Sequence, residues 1–385
     1  MSKPIGKKYV EESGYYHGGE PIFSSLGDIS DNKPTVVELF CGCGGTSLGF
    51  EMAGYEILLG VDIHEPSIHT FKKNHKNVAT ILGDIRNVSS ADIKNAIGNR
   101  HINVLIGGVP CQGFSLNNKK RSGDDERNFL YKEFLRLVEE LQPDVIVIEN
   151  VSGMKSTNNG EFIISISDDI RKCGDYEVSS KILCAADYGV PQKRNRLLFI
   201  GIKNNIKFDF DAVVKTHGDG TGRSYNTVHD AIGDLPRLQN DQEIDKYDKQ
   251  TFSDYQRLMR KDSSTLINHK SPNHPQATID KIKNTEPGKP MYKNFKQRIR
   301  LAWDIQSPTQ VSGGIRPQFQ FGHPLDNRGL SIRERCRLQS FPDTFEVCGG
   351  IVQGRVQTGN AVPPLLAKAI AKAIAGTMLW EINDV

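Results

Sequence analysis

Short apolar runs separated by glycine turns and helix-like stretches organise the first 200 residues. The run 35–40 (TVVELF) leads into the turn FCGCGGTSLG, which is followed by the apolar run 56–63 and a helix-like segment at 65–75. This order is typical of a βαβ unit. Further patterns predict strands at 77–82, 102–107, 144–151 and 196–201, and helices near 127–141 and 160–173. We therefore expect an α/β fold with a doubly wound sheet that carries helices on both faces.

This alternation stops after about residue 203 and returns only near the end of the chain. Residues 206–351 hold few apolar runs and many Asn, Gly, Pro and charged residues, which indicates a second, smaller and irregular domain. After a Pro-Pro start, residues 364–380 space apolar side chains at helical intervals, so we expect a closing helix that packs on the first domain. The polar residues 1–34 are predicted to be an N-terminal extension. The first domain then comprises 35–205 and 352–385.

Length and composition narrow the class of protein. A chain of 385 residues with 37% hydrophobic residues can build two domains with sizeable cores. No run approaches about 18 apolar residues, and the first residues lack the apolar core of a secretory signal, so we expect a cytoplasmic location. The seven cysteines are scattered without Cys-x-x-Cys or Cys/His metal spacing, which predicts reduced thiols and no metal site.

Positive charge is concentrated in one part of the chain. The net charge is only +3, but residues 203–330 hold 20 Lys and Arg against 15 Asp and Glu. Within them, residues 281–300 carry seven basic residues and one acidic residue, with Tyr292 and Phe295 interleaved. Such a segment is either a solvated basic face or a surface that contacts phosphates. Candidate phosphate contacts are Lys293, Lys296 and Arg298.

Two acids follow successive predicted strands beside the glycine turn. The turn departs from Gly-x-Gly-x-x-Gly, because Ser47 stands where the third glycine is required counting from Gly42. Asp62 lies 20 residues after Gly42, where a carboxylate can accept hydrogen bonds from ribose hydroxyls, and Asp84 could accept from an adenine amino group. Either acid alone would more often cap a turn. Together they favour an adenosine-like cofactor, and the missing phosphate-turn glycine suits S-adenosylmethionine better than NAD.

A predicted central strand ends at a cysteine in the stretch INVLIGGVPCQGFS, residues 102–115. Gly107 and Gly108 let the backbone turn at the carboxyl end of the strand, where open α/β sheets place their ligands. Pro110 then stiffens the stem that carries Cys111. A lone cysteine is more often a small packed side chain. The other motifs of the chain favour a Cys111 that points into a cleft.

Further polar candidates follow later strands. Glu149 ends an apolar strand in IENV, where a buried carboxyl can share a proton with a ring nitrogen near neutral pH. Arg194 and Arg196 stand two residues apart in QKRNR and therefore face the same side of an extended segment. Either both arginines point into the cleft or they pair with acids on the surface.

The set FCGCGG, GDI, GGVPCQGFS, ENV, QKRNR, RERCRLQSFP and TGNAVPP, in this order, resembles the cytosine carbon-5 DNA methyltransferases of bacterial restriction-modification systems. The resemblance covers roughly residues 35–201 and 331–378, and 206 to about 330 falls where the family keeps its target recognition domain. It implies a Rossmann-like catalytic domain that binds S-adenosylmethionine, and a monomer that acts on double-stranded DNA. It leaves open the recognised sequence and whether a cognate restriction endonuclease exists.

The resemblance also implies a mechanism. Cys111 would attack carbon 6 of a flipped-out cytosine, because carbon 5 is a poor nucleophile until carbon 6 has been attacked. Glu149 would give a proton to ring nitrogen 3, and Arg196 would hold the oxygen at carbon 2. The sequence does not name the base that removes the carbon-5 proton, and an ordered water could serve. Residues 112–127 would form a loop that closes over the DNA.

The remaining expected roles follow from the same resemblance. Asn360 matches an asparagine that supports the recognition domain and the cofactor region, and Cys41 and Cys43 stand where the family is usually small or apolar. The expected catalytic residues are Cys111, Glu149, Arg194 and Arg196. Cofactor contacts are expected at Phe40, Cys41, Gly42, Gly44, Gly45, Asp62, Ile63, Asp84, Ile85, Pro110, Asn360 and Ala361. DNA contacts are expected at Gln112, Ser115, Lys119, Lys120, Arg121, Arg127, Gln192, Lys293, Lys296 and Arg298.

Three alternatives stay open at this point. The same chemistry could act on transfer RNA, as in one branch of the family, although the long basic second domain favours DNA. A catalytically silent DNA-binding homologue is disfavoured by the intact Cys111, Glu149, Arg194 and Arg196. A nicotinamide-dependent oxidoreductase is disfavoured by Ser47 and gives no reason for the Pro-Cys-Gln sequence.

Overall fold

The computed structural model describes residues 14–28, 32–109, 127–151, 161–312 and 320–383, without the side chains of 127–129 and 161–162. The chain divides into two compact units. The first, which we call the sheet unit, comprises Tyr15–Cys184, Asn195–Val214 and Ala367–Val385. The second, the irregular unit, comprises Met1–Gly14, Ala185–Arg194 and Lys215–Leu366. The domain boundaries placed at 206 and 352 from the sequence stay a prediction.

An eight-stranded sheet forms the centre of the sheet unit. Its strands are β1 (Ile22–Ser24), β2 (Thr35–Leu39), β3 (Glu56–Asp62), β4 (Ala79–Leu82), β5 (Val104–Gly107), β6 (Val145–Val151), β7 (Tyr176–Cys184) and β9 (Asn195–Lys203). They lie in the order β1-β4-β3-β2-β5-β6-β9-β7. The five strands β4-β3-β2-β5-β6 pair in parallel, whereas β9 runs antiparallel to β6 and β7, and β1 runs antiparallel to β4. The predicted α/β fold class is confirmed, but β1 and β7 were not predicted.

Helices cover the sheet and make up most of the regular structure elsewhere. The sheet unit contains α1 (Gly45–Met52), α2 (Glu65–Asn74), α3 (Ser90–Ala96), α4 (Arg127–Leu141) and α5 (Glu161–Lys172). The irregular unit contains α6 (Val228–Ile232), α7 (Asp254–Arg260), α8 (Gln276–Lys283), α9 (Ile332–Arg337) and α10 (Ile351–Asn360). The last helix, α11 (Pro364–Met378), continues into the sheet unit, where the Ala371 carbonyl accepts a 2.9 Å hydrogen bond from the Tyr55 hydroxyl. The predicted packing of a closing helix on the first domain is therefore confirmed.

The irregular unit has very short strands. β8 (Gln192–Lys193) pairs in parallel with β11 (Ser307–Pro308), and β10 (Ile299–Arg300) pairs in parallel with β12 (Phe321–Gly322). A modest apolar cluster includes Ile232, Met259 and Leu338. Because two-residue strands supply few hydrogen bonds between segments, side-chain interactions also hold this unit together.

Arginine side chains supply those interactions. Arg328, Arg333 and Arg337 are at most 1% exposed. Arg328 donates to both carboxylate oxygens of Glu334, at 2.7 and 2.8 Å, and Arg337 pairs with Asp343. Burial raises the pKa of Glu334, but the Arg328 guanidinium outweighs burial and holds that pKa below its usual range. Arg333 donates to the main-chain carbonyls of Ile267, Pro342 and Phe345.

The described residues contain neither a membrane-spanning helix nor a cluster of metal-binding side chains. Among them no helix is long and apolar enough to cross a membrane. In the same ranges no group of three or more His, Cys, Asp or Glu side chains is placed to hold a metal ion.

Candidate active site

The carboxyl ends of the parallel strands meet at one edge of the sheet. Leu39 at the end of β2 pairs in register with Val61 on β3 and with Gly107 on β5, and Asp62 pairs with Leu82 on β4. Because β3 and β5 lie on opposite sides of β2, the strand order reverses there. Open α/β sheets bind their ligands at such a switch point. The structure thus brings the predicted glycine turn and both predicted acids to one edge.

The glycine turn between β2 and α1 uses left-handed backbone conformations. Phe40, Gly42 and Gly44 have φ angles of 58°, 53° and 89°. A Cβ atom at Gly44 would lie 2.2 Å from Nε2 of His75, so only glycine fits there. A Cβ atom at Gly42 would meet nothing within 4 Å, which leaves the backbone open to a ligand on that side. Gly45 is the first residue of α1.

The carboxylate of Asp62 holds this turn in place. One oxygen accepts a 2.7 Å hydrogen bond from the Gly42 amide, and the other accepts a 2.8 Å bond from the His64 amide. Burial raises the pKa of Asp62, although the two amides act in the opposite direction. Each carboxylate oxygen has a second lone pair, so Asp62 can still accept hydrogen bonds from a bound hydroxyl.

The N-terminal segment reaches the same edge, which the sequence did not indicate. The Tyr16 amide donates to the Ile63 carbonyl at 2.8 Å, and the rings of Tyr15 and His64 meet edge to face with centroids 5.4 Å apart. Burial, followed by the charge of Asp62, raises the pKa of Tyr15. The Tyr15 hydroxyl therefore interacts electrostatically with Asp62, the carboxylate that was predicted to bind the cofactor.

Asp84 follows β4, and its carboxylate already bonds a neighbouring residue. It forms an ion pair with the Arg86 guanidinium and accepts a 3.0 Å hydrogen bond from the Arg86 amide. These bonds lower the pKa of Asp84, with the Arg86 side chain as the largest cause. Ile85 is buried in the core of the sheet unit. A contact between Asp84 and an adenine amino group would have to share the carboxylate with Arg86.

A buried glutamate lies behind the glycine turn and was also missed. Glu38 on β2 is 2% exposed and accepts hydrogen bonds from the Ser47 hydroxyl and from the Ser47 amide in the first turn of α1. Burial raises the pKa of Glu38 to about 7. A single acid inside the apolar run TVVELF was the signal that could have identified it. Cys41 and Cys43, which stand where the family is usually small or apolar, are buried in the same region.

Glu149 and Arg196 form a buried ion pair between β6 and β9. Their side chains are only 13% and 8% exposed. The neighbouring Asn150 donates from its side chain to the Val109 carbonyl at 3.3 Å. Two of the expected catalytic residues therefore meet beside the segment that leads from β5 towards position 111.

Other expected residues lie in the irregular unit and bind the main chain there. Arg194 is fully buried and donates to the carbonyls of Gln310 and Gly359, at 2.8 and 2.9 Å. Gln192 is also fully buried and accepts from the Gln310 amide at 3.1 Å. Asn360 is exposed at the end of α10, and Ala361 after it is buried. The contacts of Arg194 support the framework of this unit, and its catalytic role stays a prediction.

Some of the expected DNA-contacting residues lie in the described part of the chain, and others do not. Lys293 and Lys296 are exposed, and Arg298 is half-buried. The predictions for Pro110, Cys111, Gln112, Ser115, Lys119, Lys120, Arg121 and the side chain of Arg127 lie outside the described residues.

Comparisons with known proteins agree in sequence and in fold. The sequence model of the family described as C-5 cytosine-specific DNA methylase matches residues 34–376. The type II methyltransferase M1.HphI of Haemophilus parahaemolyticus is 36% identical over 352 residues, which cover 88% of this chain and 86% of that protein. The type II methyltransferase M.DdeI of Desulfomicrobium norvegicum is 34% identical, with 91% and 89% covered. A crystal structure described as a DNA modification methyltransferase encoded within an Escherichia coli prophage has a TM-score of 0.75 and 27% identity, with 90% and 99% covered.

Proposed function

The chain belongs to the C-5 cytosine-specific DNA methylases, and from this premise we propose that it methylates carbon 5 of a flipped-out cytosine within a specific duplex sequence. It is a DNA cytosine-5 methyltransferase of the restriction-modification type. The observation that supports the finer proposal is the buried pair Glu149 and Arg196 next to the Asn150–Val109 contact. In the proposal, the irregular unit contains the target recognition domain.

Family membership implies S-adenosylmethionine as the methyl donor, and the switch-point edge fits it. Asp62 offers an acceptor at a strand end, and the open space at Gly42 allows a ligand to approach the backbone. We propose that Asp62, Gly42 and Ile63 hold its adenosine part, with Asp84 as a further acceptor. When bound, this cofactor supplies an electrophilic methyl group.

Cys111 is the proposed nucleophile. Its thiolate forms a bond to carbon 6 of cytosine, and the displaced electron pair of the ring is taken up as nitrogen 3 gains a proton from Glu149. Arg196 keeps the Glu149 carboxyl in place and holds the oxygen at carbon 2. Carbon 5 then has enamine character and would take the methyl group, whose bond to the sulfonium sulfur of the cofactor would break to leave S-adenosylhomocysteine. A base removes the proton from carbon 5, the electrons of that bond form the double bond between carbons 5 and 6 and expel the Cys111 thiolate, and nitrogen 3 returns its proton to Glu149.

The target base must leave the helix before this chemistry. Both faces of a stacked cytosine are covered, and flipping it out costs a few kcal/mol. We propose that residues 112–127 close over the DNA, with Lys119, Lys120 and Arg121 on phosphates. The alternative is a solvated loop that does not contact DNA. In that case, replacing Lys119, Lys120 and Arg121 would leave the affinity for DNA unchanged.

The sharpest test traps the proposed adduct. A duplex with 5-fluorocytosine at the target should become covalently bound in the presence of S-adenosylmethionine, because fluorine cannot leave as a proton does. Trapping should vanish in Cys111→Ser, since a hydroxyl is almost un-ionised near neutral pH whereas free cysteine has a pKa of about 8.5. Cys184→Ser, at a half-buried cysteine on β7, is the matched control and should trap normally.

The outcome also separates the alternatives. Labelled S-adenosylmethionine incubated with duplex DNA, transfer RNA or neither shows which polymer is methylated. Methylation of transfer RNA alone would refute the proposed substrate, and a Cys111→Ser protein that methylates DNA at the wild-type rate would refute the proposed nucleophile.

A further inference from the structure

A short β-hairpin occupies residues 288–300 of the irregular unit. The Gly288 amide donates to the Arg300 carbonyl at 2.7 Å, and the Met291 amide donates to the Arg298 carbonyl at 2.8 Å. These bonds pair the two arms in antiparallel fashion. Six residues, 292–297, are left between the arms and form the tip.

The base of the hairpin is firmly anchored. The buried Arg300 guanidinium donates to four main-chain carbonyls at 3.0 to 3.2 Å, those of Ile282, Thr285, His323 and Leu325. Met291 is 5% exposed and packs against the fully buried Ile282. Because both arms are tied to the same segments, the direction of the tip is fixed within this unit.

The tip is also ordered by its own side chains. The Arg298 guanidinium lies over the Phe295 ring at 4.6 Å and over the Tyr292 ring at 5.6 Å, and the Lys281 ammonium lies 5.2 Å from the Tyr292 ring. The Phe295 amide donates to the Tyr292 carbonyl at 3.3 Å. Cation–π contacts and a main-chain turn therefore preform the tip, which reduces the entropy cost of binding.

The exposed part of the tip combines three kinds of chemistry. Lys293 and Lys296 carry positive charge, Asn294 and Gln297 carry carboxamides, and the Phe295 ring is 46% exposed. A two-stranded β-ribbon fits the major groove of B-DNA, which is about 12 Å wide. In that groove, a carboxamide can both donate to and accept from adenine, and lysine can neutralise phosphates.

Positive charge extends behind the tip. Glu286 is the one acid among residues 281–300 of the sequence, against seven basic residues. Burial, followed by the charge of Arg298, lowers the pKa of Arg355. A positive field at the base of the hairpin would attract a polyanion to the carboxamides.

Resting on the proposed function, we propose that Asn294 and Gln297 are specificity-determining residues that read base edges in the major groove, while Lys293 and Lys296 contact flanking phosphates. Because carboxamides match adenine, the recognised sequence contains at least one A·T pair. This assigns the choice of sequence to the hairpin tip and leaves the chemistry to the sheet unit.

The test uses the full chain and a pool of duplexes that covers all short sequences. Methylated sites are read by sequencing, and equilibrium binding to the best duplex and to its single-base variants is measured in parallel, so that a slow variant still gives a result. Asn294→Ala and Gln297→Ala should each lower the discrimination at one base pair by about 5- to 150-fold, the equivalent of one bidentate contact. Lys293→Ala should weaken binding to all sequences alike. Gln250→Ala, at another exposed carboxamide of the irregular unit, is the control and should change nothing.

The outcomes distinguish this inference from the proposed function. If the wild type methylates DNA but both carboxamide variants keep wild-type discrimination, or lose rate equally at all sequences, the hairpin is not the reader. A recognised sequence made only of G·C pairs would also overturn it. A wild type that leaves every duplex unmethylated, or that acts on RNA alone, overturns both proposals.

Discussion

Asp62 connects the backbone of the glycine turn to the expected cofactor. Its two oxygens accept from the Gly42 and His64 amides, so the same carboxylate shapes the turn and faces the ligand edge. Loss of the carboxylate would therefore leave two amides to find other partners. In the proposed site, cofactor affinity and local stability would therefore both depend on this one residue.

Asp62→Ala should weaken S-adenosylmethionine binding by roughly 5- to 150-fold, because one hydrogen-bond acceptor is worth about 1 to 3 kcal/mol. Calorimetric titration measures the affinity, and a thermal melt records any loss of stability from the freed amides. Glu56→Ala is the matched control, since Glu56 stands at the other end of β3. Unchanged affinity in Asp62→Ala would remove this residue from the proposed site.

Spacing along the chain predicted the positions of some side chains at this edge of the sheet and missed others. The positions of Asp62 and Asp84 at the edge were predicted because parallel strands place their carboxyl ends there, and their role in cofactor binding stays a prediction. Tyr15 was missed because nothing in a polar segment 49 residues before His64 indicates their contact. Arg194 shows a further limit: alternation predicts which side an arginine faces, but not that main-chain carbonyls will surround it.

At the scale of elements, the basic segment 281–300 consists of part of α8 and the hairpin that follows it. Reversing the charge of Lys293, Lys296 and Arg298 should weaken DNA binding at every sequence and flatten its salt dependence. Each lost phosphate contact reduces the slope of log affinity against log salt by about 0.9, so three contacts change it by roughly 3. Binding titrations at several salt concentrations measure the slope.

The same reversal at Lys246, Lys249 and Lys261, exposed in the irregular unit, is the control for net charge. If the Lys293/Lys296/Arg298 variant keeps the wild-type slope, the segment is a solvated face. If both triple variants change the slope equally, the effect belongs to net charge and not to this segment.

The strands that were predicted are those with strong burial on both faces. β2, β3, β5 and β6 are nearly continuous apolar runs, as interior parallel strands are. β7 lies at the edge of the sheet and interrupts its buried residues with partly or fully exposed ones, and β1 has only three residues, so neither gives a comparable run. The sequence RERCR was recognised as part of a motif, but helix α9 was not predicted. Its charged residues are typical of a protein surface, and their burial depends on partners far away in sequence.

At the scale of the whole molecule, particular buried groups of the two units respond to acid in opposite ways. In the irregular unit, burial lowers the pKa of His274 and His323 to about 4, from an ordinary value of 6.5. The unfolded chain binds protons at these histidines below pH 6.5 and the folded chain does not, so stability falls as the pH drops from 6.5 to 4. In the sheet unit, Glu38 has a pKa raised to about 7, so its contribution increases as the pH drops from 7 towards 4.5.

We expect the irregular unit to lose roughly 2 kcal/mol of stability per buried histidine between pH 7 and pH 5. The chain has two tryptophans, Trp303 in the irregular unit and Trp380 in the sheet unit, so urea unfolding of Trp380→Phe followed by fluorescence reports the irregular unit alone. Adding His274→Gln and His323→Gln should reduce the change in unfolding free energy of the irregular unit between pH 7 and pH 5.

His69→Gln, at an exposed histidine of α2, should leave that dependence unchanged and serves as the control. A double histidine variant that retains the wild-type pH dependence would assign the acid sensitivity to other groups.

Several buried arginines connect segments of the irregular unit. They bind main-chain atoms, which every amino acid possesses. Arg300, Arg333 and Arg194 all donate to main-chain carbonyls, and a carbonyl is present whatever side chain its residue carries. Substitutions in the segments that these arginines bind can therefore accumulate during evolution without loss of the hydrogen bonds. Under the proposed function, substitutions at the hairpin tip would change the recognised sequence, while the arginine contacts to the main chain would keep the interior of the unit unchanged.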